Sequence, residues 1–176
     1  MARGIPQRCT NTPEPSEASI YNQAECVERF KQYLNQLDFD VAKRIEKAVI
    51  DIETPLSPDS LLLLDRLVVQ YSRLFLLNSV PSCLLRVTGE IICCNSSFRR
   101  LIVDSLPASF ALYQIFDSLS FLNFWLNLEE LRNDSGKKSI LSKCMLLNRK
   151  ECSYSVTLRR SPEGAVLCAA LNIIEY

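Results

Sequence analysis

Residues 83–98 read Cys-Leu-Leu-Arg-Val-Thr-Gly-Glu-Ile-Ile-Cys-Cys-Asn-Ser-Ser-Phe, and this stretch decides the fold. Cys83 to Val87 and Ile91 to Cys94 are short β-favouring runs. Thr88-Gly89-Glu90 supplies a glycine turn between them, so the two runs read as an antiparallel hairpin. Asn95 or Ser96 then caps a helix that carries Phe98, Leu101, Ile102 and Leu106 on one face, and Pro107 ends it.

Downstream, residues 110–133 are rich in aromatics and read as helical: Phe110, Tyr113, Phe116, Phe121, Phe124 and Trp125. Asn133-Asp134-Ser135-Gly136 is a turn cluster. Three strands follow, at about 139–148, 151–160 and 165–175. In the middle one Cys152, Tyr154, Val156 and Leu158 alternate with Ser153, Ser155, Thr157 and Arg159, so one face is buried and one is wet. The last strand is apolar on both parities, as a central strand should be. Tyr154, Val156 and Leu158 are placed on the side facing the helices, where they would fill the core or line any pocket.

Upstream, Phe30, Leu34, Leu37 and Val41 recur at steps of three and four, and Ile45, Ala48, Val49 and Ile52 continue the pattern. Asp38-Phe39-Asp40 interrupts it, giving two helices. Pro55 and Pro58 close the segment. Ser57-Pro58-Asp59-Ser60 opens the next helix, about 58–77, with a capping hydroxyl, a proline in the first turn and an acid for the dipole. Leu61, Leu62, Leu64, Leu67, Val68, Tyr71, Leu74 and Phe75 make it apolar on most sides, so it is buried on more than one face or docks a partner. Residues 1–21 carry three prolines and no periodicity, and read as a flexible tail.

Composition narrows the function. Hydrophobic residues are 48% and charged residues 23%, as in a globular chain. Twenty basic residues balance twenty acidic ones, so the chain as a whole is not a strongly basic nucleic-acid binder. Arg99-Arg100, Lys137-Lys138 and Arg159-Arg160 are isolated pairs rather than a phosphate-tracking stripe. No apolar stretch reaches the roughly 18 residues a membrane-crossing helix needs. No apolar run follows the first eight residues, so no signal peptide is expected.

There is no histidine, which excludes Ser-His-Asp and Cys-His nucleophile pairs, HExxH sites and histidine-ligated haem. Eight cysteines are present, none in a CxxC pair, and most sit in apolar runs as small buried hydrophobes. Neither a glycine-rich phosphate loop nor a same-face carboxylate pair is found, so no enzyme is expected. No cofactor is expected either.

The order of helices, β-hairpin, short helices and three-stranded meander resembles a PAS domain. The strings that carry the resemblance are Asn78-Ser79-Val80-Pro81-Ser82-Cys83-Leu84-Leu85, Thr88-Gly89-Glu90-Ile91 and Asn95-Ser96-Ser97-Phe98 with Leu101. Val27 to Ile52, Pro55-Leu56-Ser57-Pro58-Asp59, Arg86 to Ile91 and Tyr113-Gln114-Ile115-Phe116-Asp117 look like the PAS-bearing region of fungal binuclear zinc-cluster transcription regulators of gluconeogenesis and ethanol utilisation. The resemblance covers most of residues 22–176. It implies an α+β fold: a PAS-like five-stranded antiparallel sheet with helices on one face, plus an N-terminal helical extension. The expected divisions are a tail at 1–21, a helical extension at 22–57 and a PAS-like domain at 58–176.

Arg3-Gly4-Ile5-Pro6-Gln7-Arg8-Cys9 is similar to the last stretch of such a cluster. The preceding cysteine pair would fall at or before residue 2, where Ala2 stands, so Cys9 reads either as the orphan ligand of a truncated cluster that holds no metal or as part of an ordinary basic tail. What the resemblance implies is a non-enzymatic regulator, sensing or dimerising in the control of carbon-metabolism genes. It would pair with itself or with related regulators, reach DNA only indirectly, avoid membranes and reside in the nucleus. Alternatives are a small-ligand-binding PAS sensor or a degenerate paralogue without DNA binding, with a cytoplasmic location as the alternative to the nuclear one.

Overall fold

The computed structural model describes residues 23–52, 56–101 and 110–175. The tail at 1–21 with Cys9, and Ile102, Leu106 and Pro107, lie outside the described residues.

Helices α1 (Gln23–Leu34) and α2 (Phe39–Ile52) are separate, as the sequence pattern requires. Asp38 makes the break: its Oδ1 accepts Asp40 N–H at 3.0 Å while its carbonyl accepts Ala42 N–H at 2.8 Å. That is the N-cap arrangement, which satisfies a donor the first turn would otherwise leave open. Helix α3 (Pro58–Phe75) starts as its sequence dictates, with Ser57 Oγ accepting Ser60 N–H at 3.2 Å and proline in the first turn.

Strands β1 (Ser82–Leu85) and β2 (Ile91–Cys94) form the hairpin, and α4 (Ser96–Leu101) follows directly. Gly89 turns the chain at φ 90°, a region L side chains rarely occupy. A Cβ there would make only ordinary contact with the Phe121 ring, at 3.4 Å, so the backbone angle is what calls for glycine.

The next segment corrects the sequence expectation. Residues 110–117 are not α-helical. Ala111 bridges Glu90, a 3₁₀ turn spans Leu112–Gln114, and α5 (Ser118–Asn133) begins only after Asp117, whose Oδ1 accepts Ser120 N–H at 2.7 Å. The physical reason is that this backbone is committed to the two sheet edges. Ile91 N–H donates to Phe110 O at 2.9 Å and Leu112 N–H to Gly89 O at 2.8 Å, beside β2. At the other edge Leu147 N–H donates to Ile115 O at 2.8 Å and Asp117 N–H to Met145 O at 3.0 Å. One connecting segment thus blunts both edges against pairing with another chain.

Strands β3 (Ile140–Met145), β4 (Glu151–Arg160) and β5 (Val166–Glu175) form the meander. The five strands make one antiparallel sheet in the order β2-β1-β5-β4-β3. The α+β class and the β-β, helices, β-β-β arrangement are therefore as expected, with the doubly apolar β5 at the centre. On the inner face Cys83, Leu85, Tyr154, Val156, Ala169, Leu171 and Ile173 pack against Phe98 of α4 and Phe121, Phe124, Trp125 and Leu128 of α5. The α1–α2 pair covers α5 from outside, with Phe30, Leu34, Ile45, Ala48 and Val49 joining the same core. Arg160 Nη2 donates to Leu131 O at 2.8 Å, satisfying a carbonyl that the end of α5 leaves open.

The one-sided arrangement holds for the helices that follow the hairpin. Helix α3 is the exception and lies on the opposite face, over Leu84, Cys168 and Ala170. These outward residues of β1 and β5 are apolar and need cover, whereas the outward residues of β4 include Ser155, Thr157 and Arg159.

Candidate interaction site

The outward sheet face and α3 meet through Leu64, Leu67, Val68, Tyr71 and Phe75, which point down onto Leu84, Leu167, Cys168 and Ala170. Arg159 fixes the helix laterally: its Nε donates to Tyr71 Oη at 2.6 Å and its guanidinium lies 5.5 Å from the ring centroid. This contact uses one stripe of α3. The other side keeps apolar residues in water: Leu62 is 52% exposed, Val69 46% and Leu76 85%. Seven-residue steps put Leu62 and Val69 of the helix and Leu76 at its C-cap in one row. Leu74 and Leu77 are exposed beside the row's end. Of the two options that the sequence left for this helix, burial on more than one face does not occur among the described residues.

Beneath the C-terminal end of α3 lies a polar junction built on Asn95, which is 3% exposed. Asn95 Oδ1 accepts Phe98 N–H at 2.8 Å, capping α4, and Ser82 N–H at 3.1 Å. Its Nδ2 donates to Asn78 O at 2.9 Å and Val80 O at 2.6 Å. All four hydrogen-bonding positions of the amide are used. Ser82 Oγ donates to Asn172 Oδ1 at 2.7 Å and accepts from Asn78 Nδ2 at 3.0 Å. The junction thus ties the segment after α3 to β1, β5 and α4 at once. Two shallow clefts of ≈ 420 and ≈ 480 Å³ flank it and share Ser79, Ser97 and Arg100.

The sequence offered Asn95 or Ser96 as the helix cap; the structure uses Asn95, which is also the hub of this network. The available signal for the hub was Asn172, a polar residue within the apolar run of the central strand. The row on α3 also went unread, although the recurrence of leucine or valine at 62, 69 and 76 is visible.

Tyr154 and Val156 are fully buried on the inner face and Leu158 is half-buried against the same core. They face the helices, and none of them lines either cleft. Tyr154 Oη accepts Asn127 Nδ2 at 2.6 Å, and burial pushes its pKa up to about 12. Tyr33 is pushed up to about 12 by burial and by the nearby Asp117 carboxylate. Its ring stacks on Tyr113 with centroids 4.6 Å apart. Burial also raises the thiols, Cys93 to about 11 and Cys144 and Cys168 to about 12, so these sulfurs stay protonated at neutral pH. Among the described residues no three cysteine or carboxylate groups converge as a metal site. No described helix is long and apolar enough to cross a membrane.

No protein-family model matches the chain. Two curated proteins are similar to it. "Regulator of drug sensitivity 2" from Saccharomyces cerevisiae is 30% identical over 141 residues, 75% of this chain and 31% of the relative. "Zinc cluster transcription factor acuM" from Aspergillus fumigatus is 28% identical over 108 residues, 54% of this chain and 17% of the relative. The chain therefore spans a third or less of these relatives. Among solved structures, a PAS domain from a two-component sensor histidine kinase superposes with a TM-score of 0.44 at 16% identity, over 61% of this chain and 97% of that one.

Proposed function

We propose that the chain is a non-enzymatic regulatory module of transcription control, acting by protein contact through the exposed row Leu62, Val69 and Leu76 on α3 and its C-cap. The single observation that carries this reading is that row, apolar and accessible on the side of the helix turned away from the sheet. The similarity to a regulator and to a zinc-cluster transcription factor supports the regulatory setting. The filled inner face, with Phe98, Phe116, Phe121, Phe124, Trp125 and Tyr154 all fully buried, supports contact over ligand capture as the output. In this reading the module is nuclear, pairs with a second copy or a related regulator, reaches DNA through its partner and tunes carbon-metabolism genes. The last part rests on the resemblance of the segments around Ser57-Pro58-Asp59 and Tyr113 to Asp117. The 58–176 division is proposed as the unit that transmits the effect.

Reporter transcription under gluconeogenic and fermentable carbon sources tests the proposal. Replacing Leu62, Val69 and Leu76 together by glutamine should abolish the chain's effect on the reporter. An unaltered response from a stably expressed triple variant contradicts it.

A second reading, a small-ligand sensor, has one observation in its favour: Trp125 Nε1 is buried with no hydrogen-bond partner among the described residues. Trp125 is the only tryptophan, so its fluorescence reports directly on that position. A saturable emission shift with a small metabolite that carries a hydrogen-bond acceptor supports the sensor, and an unmoved spectrum across a metabolite panel counts against it.

A further inference from the structure

Cys83 and Cys94 face each other across β1 and β2. The hydrogen bonds settle which kind of pair they form. Asn95 N–H donates to Ser82 O at 3.0 Å, and Ser82 N–H donates to the Asn95 side chain at 3.1 Å. Ser82 and Asn95 occupy the bonded position, so the adjacent pair, Cys83 and Cys94, is the non-hydrogen-bonded one. The β5 side agrees. Ile173 N–H donates to Pro81 O at 2.8 Å, so two residues on, Cys83 turns its own backbone groups towards Leu171 and away from β2.

A non-hydrogen-bonded pair holds its α carbons about 4.5 Å apart, within the roughly 4.4–6.8 Å that a disulfide spans. Both side chains belong to the inner face, Cys83 in the core and Cys94 packed against it. The two differ in access. Cys83 is fully buried, while Cys94 is half-buried and lines the ≈ 420 Å³ cleft with Asn95, Ser96 and Arg100. Burial raises both thiols, Cys83 well above its ordinary value; at Cys94 burial also prevails, and Arg99, which bonds the side chain, offsets it only in part.

We propose that Cys83 and Cys94 form a peroxide-sensitive dithiol, with Cys94 the sulfur attacked first and Cys83 the resolving one. The Cys94 thiolate attacks one oxygen of hydrogen peroxide. The O–O bond breaks, hydroxide leaves and takes up a proton as water, and Cys94 becomes a sulfenic acid. The Cys83 sulfur then attacks the Cys94 sulfur. The S–S bond forms, and the departing hydroxide takes the Cys83 proton and leaves as a second water. Two thiols are oxidised to one disulfide, and one peroxide is reduced to two waters.

The fold contains its own comparison. Cys144 and Cys152 also stand opposite each other, in β3 and β4. Leu146 N–H donates to Lys150 O at 3.0 Å, so two residues along, Cys144 and Cys152 are a bonded pair, whose side chains stand further apart. Both are buried, at 5% and 1% exposure, and neither lines either cleft. Cys93 neighbours Cys94 in sequence but packs with the outer-face cluster. Selectivity for Cys83–Cys94 is therefore expected, and it does not depend on the functional reading above.

The test is thiol counting on the folded full chain after graded hydrogen peroxide, with alkylation in denaturant and peptide mapping with and without reductant. The expected result is loss of two of the eight thiols, a cross-linked peptide joining Cys83 to Cys94, and full recovery with dithiothreitol. In Cys83→Ser the oxidation should stop at a sulfenic acid on Cys94 that dimedone traps. Eight intact thiols at peroxide levels that oxidise free cysteine overturn the proposal. So does a first disulfide that joins Cys144 to Cys152, involves Cys93 or links two chains. The map of the unsubstituted chain decides the matter even where the serine variant folds poorly.

Discussion

Replacing Asn95 by alanine removes four hydrogen bonds at one stroke, and their surroundings set the cost. The Ser82 and Phe98 amides belong to residues with no exposure, so both lose their acceptor in the interior. An unsatisfied buried donor costs about 1–3 kcal/mol. The Asn78 and Val80 carbonyls belong to exposed residues, can turn to water and add little. The sum is about 4 kcal/mol, a large share of the roughly 5–15 kcal/mol of a natural domain. At a urea dependence of about 2 kcal/mol/M the midpoint should fall by roughly 2 M. Asn78→Ala is the matched control: its side chain bonds Ser82 Oγ and Val80 N–H from an exposed position, and its loss should cost about 1 kcal/mol. Asn95→Asp keeps the cap on α4 but sets a buried carboxylate against two carbonyls, so it should cost at least as much as Asn95→Ala. Urea unfolding followed by circular dichroism measures all three. If Asn95→Ala costs no more than Asn78→Ala, the junction is not the hub described here.

The two left-handed glycines should report conformational strain: Gly164→Ala meets nothing within 4 Å at φ 91°, Gly89→Ala makes only ordinary contact with the Phe121 ring at φ 90°, and each should cost about 1–2 kcal/mol by thermal unfolding. Ser57→Ala removes the N-cap of α3 and should lower stability by about 1 kcal/mol in urea titration, with α3 loosening first by hydrogen exchange. Tyr33 and Tyr154 titrate near 12 in the folded chain against 10.0 ordinarily, so the unfolded chain loses these protons first. Their contribution is complete below pH 10 and is lost as pH rises towards 12; Tyr33→Phe and Tyr154→Phe should each flatten the alkaline limb of a stability–pH profile.

How much of this was legible beforehand follows from the range over which each signal acts. The hairpin around Gly89, the alternation of Cys152 to Leu158 and the break at Asp38 are local chemistry, and each appears where the residues require it. Residues 110–117 misled because their aromatic content suits a buried helix, while their backbone is taken by Gly89, Ile91, Met145 and Leu147, partners distant in sequence. The side of the sheet that α3 covers was likewise invisible, because it depends on which apolar residues of β1 and β5 remain uncovered once α4 and α5 are in place. Tyr154, Val156 and Leu158 were placed on the correct face by parity alone, but parity does not say that aromatic rings from α5 would fill the space above them.

Pairing through the outward row of α3 is the central claim, and molar mass by light scattering tests it most directly. The chain at tens of micromolar should elute at twice its 20.0 kDa, and the variant with glutamine at positions 62, 69 and 76 at its monomer mass with an unaltered circular dichroism spectrum. A wild-type chain that stays at 20.0 kDa, alone and when mixed with a related regulator, contradicts the account, as does a dimer that the triple substitution leaves intact.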